Sequence, residues 1–321
     1  MSDGDGAFRA AGARERWVEM TYGGALSFLR RRYTRDLDAV DVAVMGFPWD
    51  NAVTYRPGCR LGPRAIRAAS VQLAELKAFP WGFDLLEALA VDDRGDCQLD
   101  PHHPETVAPA IEAAAAAVIA GGARLLALGG DHFVAWPLLR AHAAAYGPLA
   151  LVQVDAHGDL WPDDPGRIDH GTMMGRAIRE GLVDPARSTQ VGIRTFHDSS
   201  EGLEILTAPW VHRNGIAAAV EVVRARAGDA PVYLSFDIDA LDPAFAPGTG
   251  TPVPGGLASW QALELVRGLG GLRLVGMDIV EVSPPFDHAE ITALAAATLA
   301  HDWLCLLAAD AGTTVQAVGR L

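Results

Sequence analysis

The sequence has 321 residues, a formal net charge of −14 at pH 7 and 50% hydrophobic residues, which suits one long α/β domain with a large core. The acidic balance argues against a nucleic-acid partner, since no basic aromatic patch accompanies it. The absence of an apolar run of 18 or more residues argues against a membrane partner. Cys59, Cys97 and Cys305 are too few and too scattered for a disulfide framework or a zinc ribbon. We therefore expect a cytoplasmic protein.

The N-terminal segment differs from the rest of the chain. It is small, polar and charged, and it lacks the apolar core of a signal peptide. We predict a flexible tail over residues 1–21 and a single domain over residues 22–321. The one basic run, residues 30–32, is short. We interpret it as a solvated face or a subunit contact rather than an anion site.

Strands and helices are predicted to alternate along the domain. Apolar runs bounded by turn residues predict strands that begin at Leu149 and Val232 and further strands at 42–47, 88–92, 124–128, 190–194 and 272–280. Helical patterns lie at 62–76, 105–119, 133–145, 171–180, 216–226, 259–269 and 290–309. This alternation predicts a three-layer α/β/α fold with a mainly parallel central sheet.

Polar residues follow three of these apolar strands. Asp131 and His132 come after the strand at 124–128, and Asp155, His157 and Asp159 come after the strand that begins at Leu149. Each cluster by itself is also compatible with a structural turn. Because ligands collect outside the carboxyl ends of strands in parallel α/β sheets, clusters with the same placement favour a functional site.

The third cluster ends the strand that begins at Val232. Strand alternation places Asp237 and Asp239 on the same side, roughly 6.6 Å apart along the strand. Two such carboxylates repel each other, and a divalent cation would remove this cost. The alternative is a strand end with turn-forming Asp residues, because Asp-Pro and Pro-Gly pairs follow.

The side chains in these clusters have the chemistry of a metal site. The candidate ligands are two imidazoles and four carboxylates: His132, Asp155, His157, Asp159, Asp237 and Asp239. With no thiolate among them, the set suits Mn²⁺ better than a structural zinc ion. Six ligands with four negative charges exceed what one ion needs, so we predict two bridged ions.

The three clusters are similar to the three signatures of the ureohydrolase family, which includes arginase, agmatinase and guanidinobutyrase. The signatures read GGDH at 129–132, DAHGD at 155–159, and SFDIDALDP at 235–243 with PGTGTP at 247–252. Further stretches resemble the agmatinase branch: FPWGFD at 79–84, PLLRAH at 137–142, DHGTM at 169–173 and EITALAAATLA at 290–300.

The resemblance implies hydrolysis of a small cationic guanidino compound to urea and an amine. Agmatine is the expected substrate, and 4-guanidinobutyrate or another small guanidine is the alternative. The implied cofactors are two Mn²⁺ ions per chain, with Ni²⁺ as a second option. The implied assembly is a homo-oligomer, a trimer or a hexamer. A non-catalytic, metal-stabilised subunit is the remote alternative.

The resemblance also implies roles for individual residues. It implies that Asp155 and Asp237 bridge the ions, that His132 and Asp159 complete one coordination sphere, and that His157 and Asp239 complete the other. Asp159 is further expected to orient the attacking water.

Two more residues receive roles from the resemblance. Glu281 follows the strand at 272–280 and is expected to accept hydrogen bonds from the guanidinium group through both oxygens; the alternative is a salt-bridged surface Glu. His170 is expected to pass a proton to the leaving amine, and the alternative is a packing residue. Asp278 fits a buried structural role.

Two positions depart from the family pattern. Gly158 stands where relatives usually carry Thr or Ala, and Gln153 stands where His or Trp is frequent. Neither departure removes a ligand, but Gly158 is expected to loosen the chain beside the site.

The segment 160–169 bears on the substrate tail. Its carboxylates, Asp163, Asp164 and Asp169, are expected to favour a substrate with a second amine and to disfavour one with a carboxylate. Arg167, if turned inward, would instead pair with the carboxylate of 4-guanidinobutyrate.

Overall fold

One parallel sheet of eight strands forms the centre of the computed structural model, which describes residues 20–74, 76–164 and 167–313. The strands are β1 Val42–Phe47, β2 Val91–Asp96, β3 Arg124–Gly129, β4 Ala150–Val154, β5 Thr189–Ile193, β6 Glu204–Thr207, β7 Val232–Asp237 and β8 Leu274–Val280. They lie in the order β2-β1-β3-β8-β7-β4-β5-β6, and all neighbours are parallel. The predicted parallel sheet is confirmed.

Helices cover both faces of the sheet. They are α1 Gly62–Ser70, α2 Leu85–Ala88, α3 Val107–Ala120, α4 Ala135–Tyr146, α5 Met173–Arg179, α6 Ala208–Asn214, α7 Ile216–Ala227, α8 Ser259–Arg267 and α9 Ile291–Asp310. Helices α1, α7, α8 and α9 contribute to one apolar core, and α3, α4 and α5 contribute to the other. The predicted three-layer α/β/α architecture is confirmed.

Strand β7 contributes alternate side chains to the two apolar cores. Val232, Leu234 and Phe236 are buried in the core beneath α7, α8 and α9, whereas Tyr233 is buried in the opposite core. Alternate side chains point to opposite faces of a strand, so a central strand of a covered sheet must be apolar on both faces. Ser235 and Asp237 are exceptions, and both belong to the site described below.

Helix α9 is long and apolar enough to cross a membrane by length and composition, with a hydropathy of 1.5 over its best window. However, 78% of that window is buried inside the protein, where the helix packs against α1 and α8. Its apolar character is therefore that of a core helix, which has apolar side chains all round.

Strand β2 lies three residues later than predicted because its polar residues hid it. Asp93 forms an ion pair with the buried Arg67, at 2.7 Å, and Asp92 pairs with Arg32 at 2.5 Å. Arg31, beside Arg32, is also buried. The interpretation of the basic run as a solvated face is therefore wrong for these two arginines, which tie the N-terminal part of the described chain to the sheet.

The predicted tail, residues 1–21, lies almost entirely outside the described residues, and the single domain at 22–321 stays a prediction. Strand β6 and the short helices α2 and α6 were not predicted, because each is four to seven residues long and too short to show a period.

Candidate metal centre

Four adjacent strands in the middle of the sheet end in polar residues. In spatial order β3, β8, β7 and β4, they lead into His132, Glu281, Asp237 and the loop of Asp155. Because the strands are parallel, their carboxyl ends share one edge. Residues that are up to 149 positions apart in the chain are thereby brought into contact.

The first part of the site surrounds the imidazole of His132. Its Nδ1 atom lies 3.1 Å from Asp155 Oδ2, 3.0 Å from Asp159 Oδ2 and 3.3 Å from Asp237 Oδ2. All four residues are buried, yet Nδ1 makes no hydrogen bond within the described structure. Such an arrangement of oxygens around a buried ring nitrogen is what a cation would require.

The second part of the site surrounds His157. Its Nδ1 atom lies 3.0 Å from Asp239 Oδ2 and 3.6 Å from Asp155 Oδ1. Asp155 therefore offers one carboxylate oxygen to each imidazole and lies between the two parts. The structure thus forms two groups that could each hold a metal ion, one of His132, Asp155 and Asp237, and one of Asp155, His157 and Asp239.

The charges of this cluster are unfavourable without a cation. Burial and the nearby charges of Asp239 and Asp155 raise the pKa of Asp237 well above its usual value. Burial and the charge of Asp155 raise the pKa of Asp159 to about 7. Carboxylates that share a buried site repel one another unless cations compensate them. The nitrogen and oxygen donors fit divalent ions of the Mn²⁺ type.

Two of the candidate ligands have a backbone conformation that differs from the predicted strand. Strand β7 ends at Asp237, and Asp239 lies in a 3-10 turn at Ile238–Ala240. The Asp237 side chain accepts a hydrogen bond from the backbone N–H of Asp239 at 2.8 Å. Asp159 has a φ of 51°, which is strained for a residue other than glycine. The predicted spacing by strand alternation was therefore wrong, although the residues still meet.

A chain of hydrogen bonds supports His132 from behind. Its Nε2 atom is 2.8 Å from Ser235 Oγ, which donates to Asp278 at 2.8 Å, and Tyr233 donates to the other oxygen of Asp278 at 2.9 Å. Outer groups of this kind fix the ring orientation of a ligand. The predicted buried role of Asp278 is consistent with this, but Ser235 was not singled out, although its alternation on β7 is a signal.

His170 and Glu281 form a pair at the edge of the cluster. His170 Nδ1 donates to Glu281 Oε1 at 2.9 Å, and the same oxygen accepts the backbone N–H of His132 at 2.9 Å. Burial lowers the pKa of His170, but the hydrogen bond and charge of Glu281 outweigh it and raise the pKa to about 9. Glu281 Oε2 is buried without a partner among the described residues.

A small cavity of about 40 Å³ opens onto this cluster. Its lining consists of Thr54, His157, Asp159, Trp161, His170, Gly171, Asp237 and Thr251. The sequence interpretation missed Thr54, whose Oγ1 lies 3.0 Å from His170 Nε2. No local pattern marks it, because the two residues are 116 positions apart. Trp161, which belongs to the acidic loop at 160–169, was not singled out either.

The acidic loop is largely neutralised by arginines. Asp163 pairs with Arg176 at 2.5 Å, and Arg167 pairs with Asp169 at 2.7 Å while its side chain is 61% exposed. The expectation that the loop presents bare carboxylates to a substrate is therefore wrong for Asp163 and Asp169. Arg167 is also not turned inward.

The space beside Gly158 is filled by His197. A Cβ atom at position 158 would lie 2.6 Å from His197 Cδ2, so the Thr or Ala that the family pattern leads us to expect here would require this imidazole to move. His197 is held by a hydrogen bond from its ring to the carbonyl of Ser199, at 2.7 Å. The expected loosening at Gly158 is thus offset by a packed side chain.

Comparison with known proteins agrees with this fold and site. A family model described as the arginase family matches residues 40–305. The chain belongs to the arginase family. Among its relatives is a protein named agmatinase from Chromobacterium violaceum, which is 58% identical over 313 residues that cover 96% of this chain and 97% of that protein.

Two solved structures superpose closely on this chain. The crystal structure of a hypothetical agmatinase from Burkholderia thailandensis has a TM-score of 0.93 and 56% identity, with 95% of this chain and 97% of that chain covered. Proclavaminate amidino hydrolase from Streptomyces clavuligerus has a TM-score of 0.85 and 37% identity, with 91% and 100% covered. The predicted ureohydrolase with a likeness to agmatinases is confirmed.

Proposed function

We propose that this ureohydrolase converts agmatine to putrescine and urea with two divalent metal ions. The observation that carries the proposal is the cluster of His132 and His157 with Asp155, Asp237 and Asp239, to which Asp159 adds its contact with His132, beside the unpartnered Oε2 of Glu281. The similarity to proteins named agmatinase supports the choice of substrate. Mn²⁺ is the proposed ion, and Ni²⁺ has compatible ligand preferences.

Each ion would be held by one histidine and one aspartate of its own. His132 with Asp159 would hold the first, and His157 with Asp239 the second. Asp155 and Asp237 would be shared, in keeping with the two oxygens that Asp155 offers to the two parts. When bound, such ions lower the pKa of water so that a nucleophile for the guanidinium carbon exists near neutral pH. Asp159 would orient this water.

Glu281 would hold the guanidinium group of the substrate. Its Oε1 atom already accepts hydrogen bonds from His132 and His170, so the contact expected through both oxygens is reduced to Oε2. Because Oε2 is buried, an N–H donor of the substrate would remove the cost of leaving it unpaired.

His170 would transfer a proton to the leaving amine. Its raised pKa keeps the imidazole protonated at neutral pH, and its ring is oriented by Glu281 on one side and Thr54 on the other. A protonated imidazole at this position has a proton to donate, as general acid catalysis requires.

The tail of the substrate would pass Trp161. The indole lines the cavity, is 42% exposed and lies 6.3 Å from the ring of His157. An aromatic face attracts an ammonium group and offers nothing to a carboxylate. Arg167, which would favour 4-guanidinobutyrate if it faced the site, is engaged with Asp169 outside it.

We therefore expect kcat/KM for agmatine to exceed that for 4-guanidinobutyrate, and both to exceed that for arginine. The measurement is urea release from each substrate, and from small guanidines, with Mn²⁺ or Ni²⁺ supplied. Trp161→Leu should reduce the preference for agmatine over 4-guanidinobutyrate, whereas Trp260→Leu, a change at an exposed tryptophan of α8, should leave it unaltered. A wild-type preference for 4-guanidinobutyrate would contradict the agmatine assignment and leave the metal chemistry intact.

The remaining expectations concern the cell and the assembly. We propose a cytoplasmic homo-oligomer, a trimer or a hexamer, with no nucleic-acid or membrane partner; sedimentation of the purified protein tests its size. The remote alternative of a non-catalytic subunit would show bound metal without urea release from any guanidino compound.

A further inference from the structure

Two buried glutamines lie behind the carboxylates of the candidate metal centre. Gln153 on β4 and Gln190 on β5 are opposite each other in the strand register, and neither side chain is exposed. Buried amides are costly unless their hydrogen bonds are made. The reaction described above assigns no role to either residue.

Gln153 contacts two of the proposed ligands directly. Its Nε2 atom lies 2.8 Å from Asp155 Oδ2 and 3.2 Å from Asp159 Oδ2. The same two oxygens face His132 Nδ1 at 3.1 and 3.0 Å. One amide group therefore gathers both carboxylates on the His132 side of the site. The Nε2 atom also lies 3.3 Å from the backbone carbonyl of His157, which is its third hydrogen-bond acceptor.

Gln190 determines which way the amide of Gln153 points. Ionised carboxylates only accept hydrogen bonds, so Nε2 of Gln153 must face them and Oε1 must face away. Gln190 Nε2 donates to that Oε1 at 2.7 Å and to the carbonyl of Gly158 at 2.6 Å. If either amide were reversed, two oxygens would face each other without a hydrogen. The hydrogen bonds of the two glutamines therefore run in one direction, from Gln190 to Gln153 and from Gln153 to the carboxylates. We refer to this arrangement as the relay.

We propose that Gln153 and Gln190 are positioning residues that prepare Asp155 and Asp159 to bind the metal ion on the His132 side. The inference rests on the metal-dependent function proposed above. N–H donors behind the carboxylates reduce their mutual repulsion and hold them at a fixed separation. Loss of such an outer partner typically weakens metal binding about 10–100-fold. Among the described hydrogen bonds, Gln153 meets no side chain that belongs to the His157 side alone.

Titration of metal-free protein with Mn²⁺ tests the proposal. Calorimetry gives the affinity of each ion, and electron paramagnetic resonance reports whether the two ions form a pair. Gln153→Met keeps the length of the side chain without its donor, and should weaken one of the two ions about 10–100-fold. Gln190→Met should weaken the same ion by a smaller factor, because Gln153 can then reverse. Gln153→His retains an N–H donor and should recover most of the affinity.

Gln261→Met is the matched control. Gln261 is a buried glutamine of α8 whose side chain accepts the backbone N–H of Ala258 at 2.9 Å, away from the site. Its replacement should lower the melting temperature and leave Mn²⁺ affinity unaltered, which is the pattern that a merely structural role for Gln153 would also give.

The possible results separate the two proposals. Wild-type Mn²⁺ affinity in folded Gln153→Met would overturn the relay and leave the proposed function standing. Wild-type protein that binds neither Mn²⁺ nor Ni²⁺ would overturn the proposed function itself. If Gln153→Met does not fold, Gln190→Met decides the matter, and wild-type affinity for both ions in that variant would overturn the relay.

Discussion

Asp237→Ala should abolish urea release because it removes a carboxylate that we propose both metal ions share. Asp237 Oδ2 lies 3.3 Å from His132 Nδ1, and its group with His132 and Asp155 is one of the two candidate ion sites. We expect fewer than two equivalents of metal per chain after purification, measured by elemental analysis beside urea release. A variant that kept two equivalents would contradict the proposed bridging role.

The melting temperature of the metal-free protein distinguishes metal loss from misfolding in this variant. Burial, Asp239 and Asp155 raise the pKa of Asp237 in the folded protein, above the value of about 3.9 for the unfolded chain. A carboxyl group with a raised folded-state pKa destabilises the fold once the pH exceeds the unfolded value, because the unfolded state releases its proton more readily. Metal-free Asp237→Ala should therefore melt no lower at pH 7 than metal-free wild type.

Asp302→Ala provides the matched control for loss of a buried carboxylate. Asp302 is buried in α9 and pairs with Arg267 at 2.8 Å, remote from the proposed ligands. Its removal leaves a charge without its partner, so the melting temperature should fall while the metal content stays at two equivalents. Metal loss in both variants would indicate general unfolding rather than a lost ligand.

His170→Ala should lower kcat by roughly 10²–10⁴-fold, the usual worth of a positioned acid–base group. Metal content should stay unaltered, since His170 contacts Glu281 and Thr54 rather than the proposed ligand atoms. The measurement is steady-state urea release at saturating agmatine with elemental analysis of the same sample. Added imidazole should restore part of the rate, because it replaces the missing proton donor.

His212→Ala is the control for this second variant. His212 lies on α6 and contacts the carbonyl of Gly255 at 3.1 Å, so its loss should not affect turnover. Near wild-type kcat in His170→Ala would reduce His170 to a packing residue. A fall in kcat without any response to imidazole would indicate that the ring acts by holding Glu281 in place.

The gathering of the candidate site could be predicted because it depends on one simple property of the fold. Apolar runs predicted the strands that end near His132, Asp155 and Asp237, and parallel strands place their carboxyl ends along one edge. The local geometry could not be predicted in the same way. Asp239 occupies a 3-10 turn and Asp159 has a positive φ, because short loops follow steric constraints that a two-residue period does not describe.

The net charge that the loop at 160–169 presents could not be predicted either. Counting the carboxylates of the loop at 160–169 suggested a cation-binding surface, but Arg176 and Arg167 neutralise Asp163 and Asp169. Arg176 lies on α5, which packs back against the loop. The charge count failed at Asp163 because the fold brings the opposite charge of Arg176 from another element. It failed at Asp169 because the count did not reveal that Arg167 of the same loop turns towards it.

The sequence by itself determined the fold class, the family and the identity of the candidate ligands, because hydrophobic periodicity and short contiguous motifs are local properties. Only the tertiary structure decided how these residues are supported. The strand order β3-β8-β7-β4 places Ser235 beside Asp278, and the β4–β5 register places Gln153 beside Gln190. Thr54 reaches His170 across 116 positions. Such contacts depend on which strands become neighbours and in which register, and no local period encodes that choice.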